Sequence, residues 1–284
     1  MKKEIARVQP IVAEDLAASR KSQDRVGELM AKALANKVTY MPVEGLENTE
    51  LAIPAEGRND ALVIYLHGGA YTAGDLAYAK GFGGVLADSI QIPVLCVGYR
   101  LAPENPYPAA LEDALAAYRA MLLDYDPGKI VFAGESAGGG LCFGACLAAI
   151  DEGMPPPRCI VAISPWTDLT LSFDAHRRNA SEDPTLSTQM LDLSADMYAG
   201  DRRDIPYVSP VFGDLRGMPD SIIFAGTSEI LEDDGTEMAK RLEAAGAHCT
   251  LHVERDAWHA YVLYGIFEAR EALAQIKEFI TERL

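Results

Sequence analysis

Short apolar runs alternate with longer amphipathic stretches along most of this chain. Six runs of six or seven residues are almost entirely apolar, as expected for strands covered on both faces; they span residues 61–66, 93–99, 129–134, 158–164, 221–226 and 249–254. Helical spacing of apolar positions follows at residues 78–89, 109–123, 139–152, 187–199, 234–245 and 265–283. This alternation predicts a doubly wound α/β fold with a mostly parallel sheet.

Three regions depart from this alternation. Residues 3–37 have apolar positions at helical spacing among many charges, which predicts one or two amphipathic helices ahead of the sheet. Residues 38–59 contain two short β-type runs separated by Gly and Pro, which predicts an early hairpin. Residues 165–220 are too long for a simple crossover between strands. We therefore predict a single domain, residues 1–284, whose cap elements are approximately residues 1–37 and 165–220.

The segment Gly134-Glu135-Ser136-Ala137-Gly138 follows one apolar run and opens an apolar helical stretch. A G-x-S-x-G pattern in that context is typical of a sharp strand-to-helix turn that exposes a serine hydroxyl. The two glycines allow neighbouring backbone to approach closely, and the first helical amides carry partial positive charge. We predict Ser136 as a nucleophile; the alternative is an ordinary capping serine at a Gly-rich helix start.

Paired glycines directly follow the first apolar run, in the segment Leu66-His67-Gly68-Gly69-Ala70. A serine nucleophile produces a tetrahedral oxyanion, which requires preorganised N–H donors. We predict that an oxyanion hole is formed by the amides of Gly68, Gly69 and Ala137. We expect His67 to hold the shape of this loop through hydrogen bonds from its ring rather than to take part in catalysis.

The chain has five histidines, and His259 lies in the loop after the last apolar run, at the sheet edge where the serine turn ends. The order serine, acid, histidine of this kind of site makes His259 the predicted base. Four carboxylates crowd after residue 226: Glu229, Glu232, Asp233 and Asp234. Glu229 comes first after the strand and is the predicted acid; Asp233 is the main alternative.

The motifs together resemble the hormone-sensitive-lipase-like esterases, the bacterial family IV carboxylesterases of the α/β-hydrolase superfamily. The matching segments are HGGA (67–70), YRLAPE (99–104), PAALEDA (108–114), GESAGG (134–139) and DAWHA (256–260). The resemblance implies an eight-stranded α/β-hydrolase fold with a helical cap, hydrolysis of short-acyl esters or lactones, and no cofactor or metal. It also implies a homodimer formed through the last strand.

Two departures from the family pattern stand out. The family loop is usually HGGG, whereas this chain has Ala70 in place of the third glycine. The family acid is commonly Asp followed by Pro-Leu, whereas Glu229 is followed by Ile230 and Leu231. A further expectation concerns the proline-rich loop after residue 99, where Arg100 and Glu104 are expected to pair with each other or to bond nearby backbone.

Composition excludes several other classes of function. The net charge of -17 disfavours nucleic acid and anionic membranes as partners. The sequence has no apolar stretch of about 18 residues and no secretory signal pattern, and its five cysteines include no C-x-x-C pair. We therefore expect a cytoplasmic enzyme that acts on a small ester. Amide hydrolysis, acyl transfer and non-catalytic ligand binding remain as alternatives.

Overall fold

Eight strands form one mostly parallel sheet in the structure, a computed structural model that describes residues 16–284. The strands are β1 (Val38–Pro42), β2 (Thr49–Pro54), β3 (Leu62–Leu66), β4 (Val94–Val97), β5 (Ile130–Glu135), β6 (Cys159–Ile163), β7 (Asp220–Gly226) and β8 (Cys249–Glu254). Their spatial order is β1-β2-β4-β3-β5-β6-β7-β8, with β2 antiparallel to both of its neighbours and β3 to β8 parallel. The predicted α/β-hydrolase fold and the early hairpin are confirmed.

Eight α-helices connect and cover these strands in residues 16–284. They are α1 (Leu16–Ala33), α2 (Leu76–Ile90), α3 (Ala109–Met121), α4 (Ala137–Asp151), α5 (Ala175–Arg178), α6 (Thr188–Ala199), α7 (Glu232–Ala244) and α8 (Phe267–Thr281). The helices from α2 onward, apart from the short α5, lie within two residues of the predicted boundaries at each end. No helix in this described part is long and apolar enough to cross a membrane.

The core has two layers because successive residues of a strand face opposite sides of the sheet. In β3, Leu62, Ile64 and Leu66 belong to one buried cluster. Val63 and Tyr65 belong to the other. Every residue of β3 to β6 is buried, as a parallel sheet with helices on both faces requires.

The last strand differs from the prediction that all six apolar runs are buried. In β8, Leu251 is 36% exposed and Val253 is 39% exposed. The strand lies at the edge of the sheet and, within residues 16–284, pairs only with β7. An edge strand has a neighbour on one side only, so apolar composition there does not ensure burial.

Helix α1 packs closely on α2, where two glycines meet. A Cβ added at Gly81 would lie 2.6 Å from the Cα of Gly27, so neither position leaves room for a side chain. Arg20 of the same helix donates to the carbonyls of Thr72 and Ala102, at 2.8 Å each. Helix α1 is therefore fixed over the loops that follow β3 and β4. Residues 3–15 of the predicted N-terminal helical region lie outside the described residues.

Arg100 and Glu104 do not pair with each other, but Arg100 does bond nearby backbone, since its Nη2 donates to the Ala109 carbonyl at 3.3 Å. Arg100 pairs with Glu112 and Asp113 at the start of α3, at 3.0 and 2.8 Å. Glu104 pairs instead with Arg20 of α1, at 2.7 Å. The sequence offered no sign of these partners, because both pairs join residues from different elements.

We expect Gly81→Ala to lower the free energy of unfolding by about 1–2 kcal/mol, since overpacking outweighs the gain in helix propensity. The obstructing atoms are backbone atoms of Gly27, which cannot rotate away. Urea unfolding of the variant beside Ser89→Ala, a change at a half-buried position of the same helix, measures this. Equal midpoints for Gly81→Ala and wild type would contradict the close packing of the two helices.

Candidate active site

Ser136 occupies a sharp turn between β5 and α4. Its backbone has φ 55° and ψ -124°, a combination that a residue with a Cβ rarely adopts. The turn is held by two backbone hydrogen bonds, from the Ser136 amide to the Ile163 carbonyl and from the Trp166 amide to the Ser136 carbonyl, both 2.9 Å. The surrounding backbone therefore stabilises a conformation that is strained in isolation.

The two glycines that flank the turn are required by space. A Cβ added at Gly138 would lie 1.9 Å from the carbonyl oxygen of Leu66. A Cβ at Gly134 would lie 2.5 Å from the carbonyl oxygen of Gly138. The G-x-S-x-G spacing thus lets the end of β3, the turn and the first turn of α4 touch through their backbones.

His259 lies beside Glu229, as the sequence predicted for the two residues. The distance from His259 Nδ1 to Glu229 Oε2 is 2.9 Å, and the other carboxylate oxygen accepts from the Gly226 amide at 2.8 Å. Glu229 is fully buried and His259 is 6% exposed. Because Nδ1 donates to the carboxylate, Nε2 is the ring nitrogen left to exchange a proton with a substrate or a nucleophile.

The segment that carries His259 is attached to the strand end next to Ser136. The amide of Ala260 donates to Ser164 Oγ at 2.9 Å. Ser164 directly follows Ile163, whose carbonyl accepts from the Ser136 amide. One short connection, residues 163–164, therefore joins the serine turn to the histidine loop.

The pKa of His259 is raised above its ordinary value by opposing effects. Burial lowers the pKa, but the hydrogen bond and charge of Glu229, with smaller contributions from Asp183 and Glu135, raise it by more than burial lowers it. Three carboxyl groups therefore favour the imidazolium form inside a buried site. A base that takes a proton during a reaction requires this kind of stabilisation.

The later carboxylates of the acidic run have other partners. Asp233 accepts from the Ala175 amide at 2.8 Å and pairs with Arg178, an interaction that lowers the pKa of Asp233 although partial burial opposes it. Asp234 is fully buried and lies 2.6 Å from His176, away from His259. The structure brings Glu229, and not Asp233, to the histidine.

The loop after β3 agrees with the sequence analysis at His67 and differs at Gly68. The His67 ring donates from Nδ1 to the Gly68 carbonyl at 2.7 Å and stacks on Tyr99. Burial lowers the pKa of His67 to about 4, so the ring is neutral near pH 7. The Gly68 amide, expected to face an oxyanion, instead donates to Glu135 Oε1 at 2.6 Å. This bond conflicts with the prediction for Gly68, because one N–H does not serve two acceptors at short range.

Gly69 and Ala137 are the remaining predicted donors. No hydrogen bond from either amide is found within residues 16–284 outside regular secondary structure. Gly69 has φ 113°, and the next residue, Ala70, also has a positive φ of 53°. The alanine that replaces the third family glycine therefore occupies a backbone conformation that favours glycine.

Glu135 is the functional candidate that sequence reasoning missed. It lies in the variable position before Ser136, is 1% exposed, and accepts from the Tyr65 hydroxyl at 2.5 Å as well as from Gly68. Burial raises the pKa of Glu135 to about 7, although both hydrogen bonds oppose the shift. The available signal was a carboxylate at the end of an otherwise apolar strand, which places a charge inside the core.

The described residues contain no group of three or more His, Cys, Asp and Glu side chains that could hold a metal ion. The arrangement instead places a serine on a strained turn, an imidazole oriented by a carboxylate, and two amides at one sheet edge. These are the parts needed for nucleophilic acyl transfer.

Comparison with known proteins agrees with this geometry. A family model described as the alpha/beta hydrolase fold matches residues 63–263. The acetyl-hydrolase of Streptomyces hygroscopicus is 38% identical over 205 residues, covering 71% of this chain and 68% of that protein. The ethyl acetate hydrolase of Pseudomonas putida is 33% identical over 237 residues, covering 79% and 74%. The crystal structure of an esterase from the bacterial hormone-sensitive lipase family is 32% identical, covers 99% of this chain and 95% of that one, and has a TM-score of 0.89.

This chain belongs to the α/β-hydrolase fold family. Its relatives place it among the esterases of the hormone-sensitive-lipase-like branch, so the resemblance seen in the sequence is confirmed. The shared fold covers 99% of the chain, and the family model matches residues 63–263.

The buried Glu135 makes stability depend on pH. Its pKa is raised from 4.5 to about 7 on folding, so the folded state binds more protons than the unfolded state between these values. Stability from this group is therefore full below about pH 4.5 and falls as pH rises to about 7, by about 3 kcal/mol. Glu135→Gln removes this dependence, and its stability relative to wild type should improve from pH 5 to pH 8. Urea unfolding of both proteins across that range measures it; parallel pH curves would contradict the assignment.

Proposed function

We propose that this enzyme hydrolyses carboxylic esters with short acyl chains through a covalent acyl-enzyme formed on Ser136. The observation that carries the proposal is the buried His259–Glu229 pair, on a loop that is bonded to the same strand end as a serine held on a strained turn. The relatives named acetyl-hydrolase and ethyl acetate hydrolase support the choice of a short acyl group, and the second name supports the choice of an ester. Lactones, as cyclic esters, fall in the same chemical class.

The proposed reaction proceeds in two halves. Ser136 Oγ attacks the ester carbonyl while His259 Nε2 takes the hydroxyl proton, and the imidazolium then gives that proton to the leaving alcohol. Water then attacks the acyl-serine ester, with His259 again accepting and returning a proton. Glu229 stays ionised throughout and stabilises the imidazolium through the bond to Nδ1.

The oxyanion of both halves is assigned to the amides of Gly69 and Ala137. Ala137 is the first residue of α4, where the amides are free of helical partners and carry the positive end of the helix dipole. Gly68, also predicted as a donor, is left out because its amide donates to Glu135. The assignment therefore rests on two donors.

The cap is a proposal supported by contacts from two segments. Tyr198 of α6 stacks on Tyr71 of the loop that follows β3, called the oxyanion loop below, with ring centroids 3.9 Å apart. A Cβ added at Gly69 would lie 3.0 Å from Gln23 Oε1 of α1. Residues 16–37 and 165–220 thus both reach the loop after β3, and we propose that they enclose the acyl chain.

The alternatives from the sequence use the same geometry differently. Amide hydrolysis or acyl transfer needs the same three side chains, Ser136, Glu229 and His259. A binding protein on this fold does not need them in a catalytic arrangement. Comparing nitrophenyl acetate with nitroanilide, with and without an added alcohol, separates these activities.

Cellular context and assembly remain predictions. We propose a cytoplasmic protein, supported by its cysteines, which are all present as free thiols with four of them buried. We also propose a homodimer through β8, supported by the exposure of Leu251 and Val253 on that edge strand. Sedimentation velocity of the protein and of Val253→Lys tests the dimer.

Replacing the nucleophile should abolish turnover without unfolding the protein. We expect Ser136→Ala to lower kcat by about 10⁴-fold or more, because no other described group is placed to form the acyl-enzyme. The thermal midpoint should stay close to wild type, since alanine keeps the Cβ and loses only a hydroxyl. Hydrolysis of nitrophenyl acetate and thermal unfolding measure the two effects. Near-normal turnover in a folded variant would refute the proposal.

Removing the charge of the proposed acid should weaken catalysis strongly. We expect Glu229→Gln to lower kcat by about 100-fold or more, because the imidazolium loses its buried partner. Asp233→Asn, a matched change in the same acidic run, should retain kcat within about twofold since Asp233 contacts Arg178. The reverse ranking of the two variants would move the acid assignment to Asp233.

Substrate length should be limited by the cap. We expect kcat/KM to be highest for acyl chains of about two to six carbons, because a small enclosed pocket excludes longer chains. A series of nitrophenyl esters from acetate to dodecanoate measures this. A maximum at the dodecanoate ester would contradict an enclosing cap.

A further inference from the structure

Two cap side chains contact the same peptide group beside the proposed acid. This peptide joins Glu229 to Ile230, and its carbonyl and its amide are each bound by a residue of the cap segment 165–220, called the insert below. We propose that Asn179 and Asp183 are positioning residues that fix this peptide and thereby aim Glu229 at His259. The inference rests on the proposed function, because it assigns a task to these residues within the same site.

Asn179 holds the carbonyl side of the peptide. Its side-chain Nδ2 donates to the Glu229 carbonyl at 2.8 Å, and also to Glu232 Oε2 at 2.9 Å. Asn179 is 6% exposed, so water competes little for these bonds. The only other contact to the Glu229 carbonyl among the described residues is a long one, 3.4 Å, from the Glu232 amide.

Asp183 holds the amide side of the peptide. Its Oδ2 accepts from the Ile230 amide at 2.9 Å, while its Oδ1 accepts from the amide and hydroxyl of Thr185 at 2.8 and 2.7 Å. Asp183 is 8% exposed. The Asp183 amide in turn donates to the Asn179 carbonyl at 3.0 Å, so the two side chains project from one turn of chain.

Holding both ends of one peptide group fixes the orientation of its plane. Ile230 follows Glu229 before α7 begins at Glu232, so no helical hydrogen bond of α7 fixes this peptide. A glutamate also has one more rotatable bond than an aspartate, so aiming its carboxylate needs a better fixed backbone. The bonds from Asn179 and Asp183 meet that need. They make the geometry of the acid depend on the position of residues 165–220.

Asp183 has a second effect, through its charge. The groups that act on His259 are Glu229 after β7, Asp183 of the insert and Glu135 of β5, and all three raise the pKa of the imidazole. Removing the charge of Asp183 should therefore lower the pKa of His259. Asn179 is neutral, so its removal should change the pKa of His259 only through the position of Glu229.

The test compares three variants of the full chain on nitrophenyl acetate: Asn179→Ala, Asp183→Asn and Asp174→Asn. The last is the control, because Asp174 lies in the same segment but is exposed and pairs only with Arg177 among the described side chains. We expect kcat to fall about 10- to 100-fold in the first two variants with KM nearly unchanged, since a misplaced catalytic group costs rate more than binding. Asp174→Asn should match wild type.

The pH profile of kcat/KM separates positioning from general destabilisation. The acidic limb should move to lower pH in both variants, through the lost charge in Asp183→Asn and through the weakened contact of Glu229 with His259 in Asn179→Ala, whereas a variant that is only less stable keeps the limb of wild type. If Asn179→Ala does not fold, Asp183→Asn, which replaces one oxygen by nitrogen, decides the question by its kcat and its acidic limb. A wild-type kcat and an unmoved acidic limb in folded Asp183→Asn would overturn the positioning proposal. If Ser136→Ala is inactive in the same assays, that result leaves the proposed function intact. Activity in Ser136→Ala would overturn the proposed function itself.

Discussion

Backbone-to-backbone contact around the turn at Ser136 is the constraint on which the site depends. The positive φ of Ser136 persists because glycines at 134 and 138 let three elements meet without any Cβ between them. This contact places the end of β3 against the start of α4, so the oxyanion loop and the serine share one edge of the sheet. The acid and the histidine lie in the loops after β7 and β8, which end at the same edge. Residues 163–164 accept hydrogen bonds from both the serine turn and the histidine loop.

Buried carboxyl groups are the second organising feature. Glu229, Glu135 and Asp183 all raise the pKa of one imidazole, yet each has its own hydrogen-bond donors from the backbone. Such donors offset the cost of burying charge and fix each group in place. Catalytic geometry and stability are therefore coupled: the bond that satisfies Glu135 also occupies an amide that the family pattern assigns to the oxyanion.

The sequence predicted the fold because its signals were local and repeated. Apolar runs and helical spacing located the strands and most helices, and the glycine pattern located Ser136 because steric demands there are read directly from residue type. Prediction from the sequence failed where contacts between residues distant in the chain determine the structure. The partners of Arg100 and Glu104, the exposure of β8 and the bond from Gly68 to Glu135 each depend on residues distant in the chain. Asn179 and Asp183 carry no motif at all, and only the folded chain brings them to Glu229.

Covalent labelling with a fluorophosphonate tests the central claim most directly, because the reagent reacts with a serine only where a base and an oxyanion site activate it. Intact mass and peptide mapping of the labelled protein identify the residue modified. The account predicts a single adduct per chain on Ser136, absent from unfolded protein and from Ser136→Ala. An adduct on another serine, or a folded and active enzyme that takes no label, would contradict the assignment of Ser136 as the nucleophile.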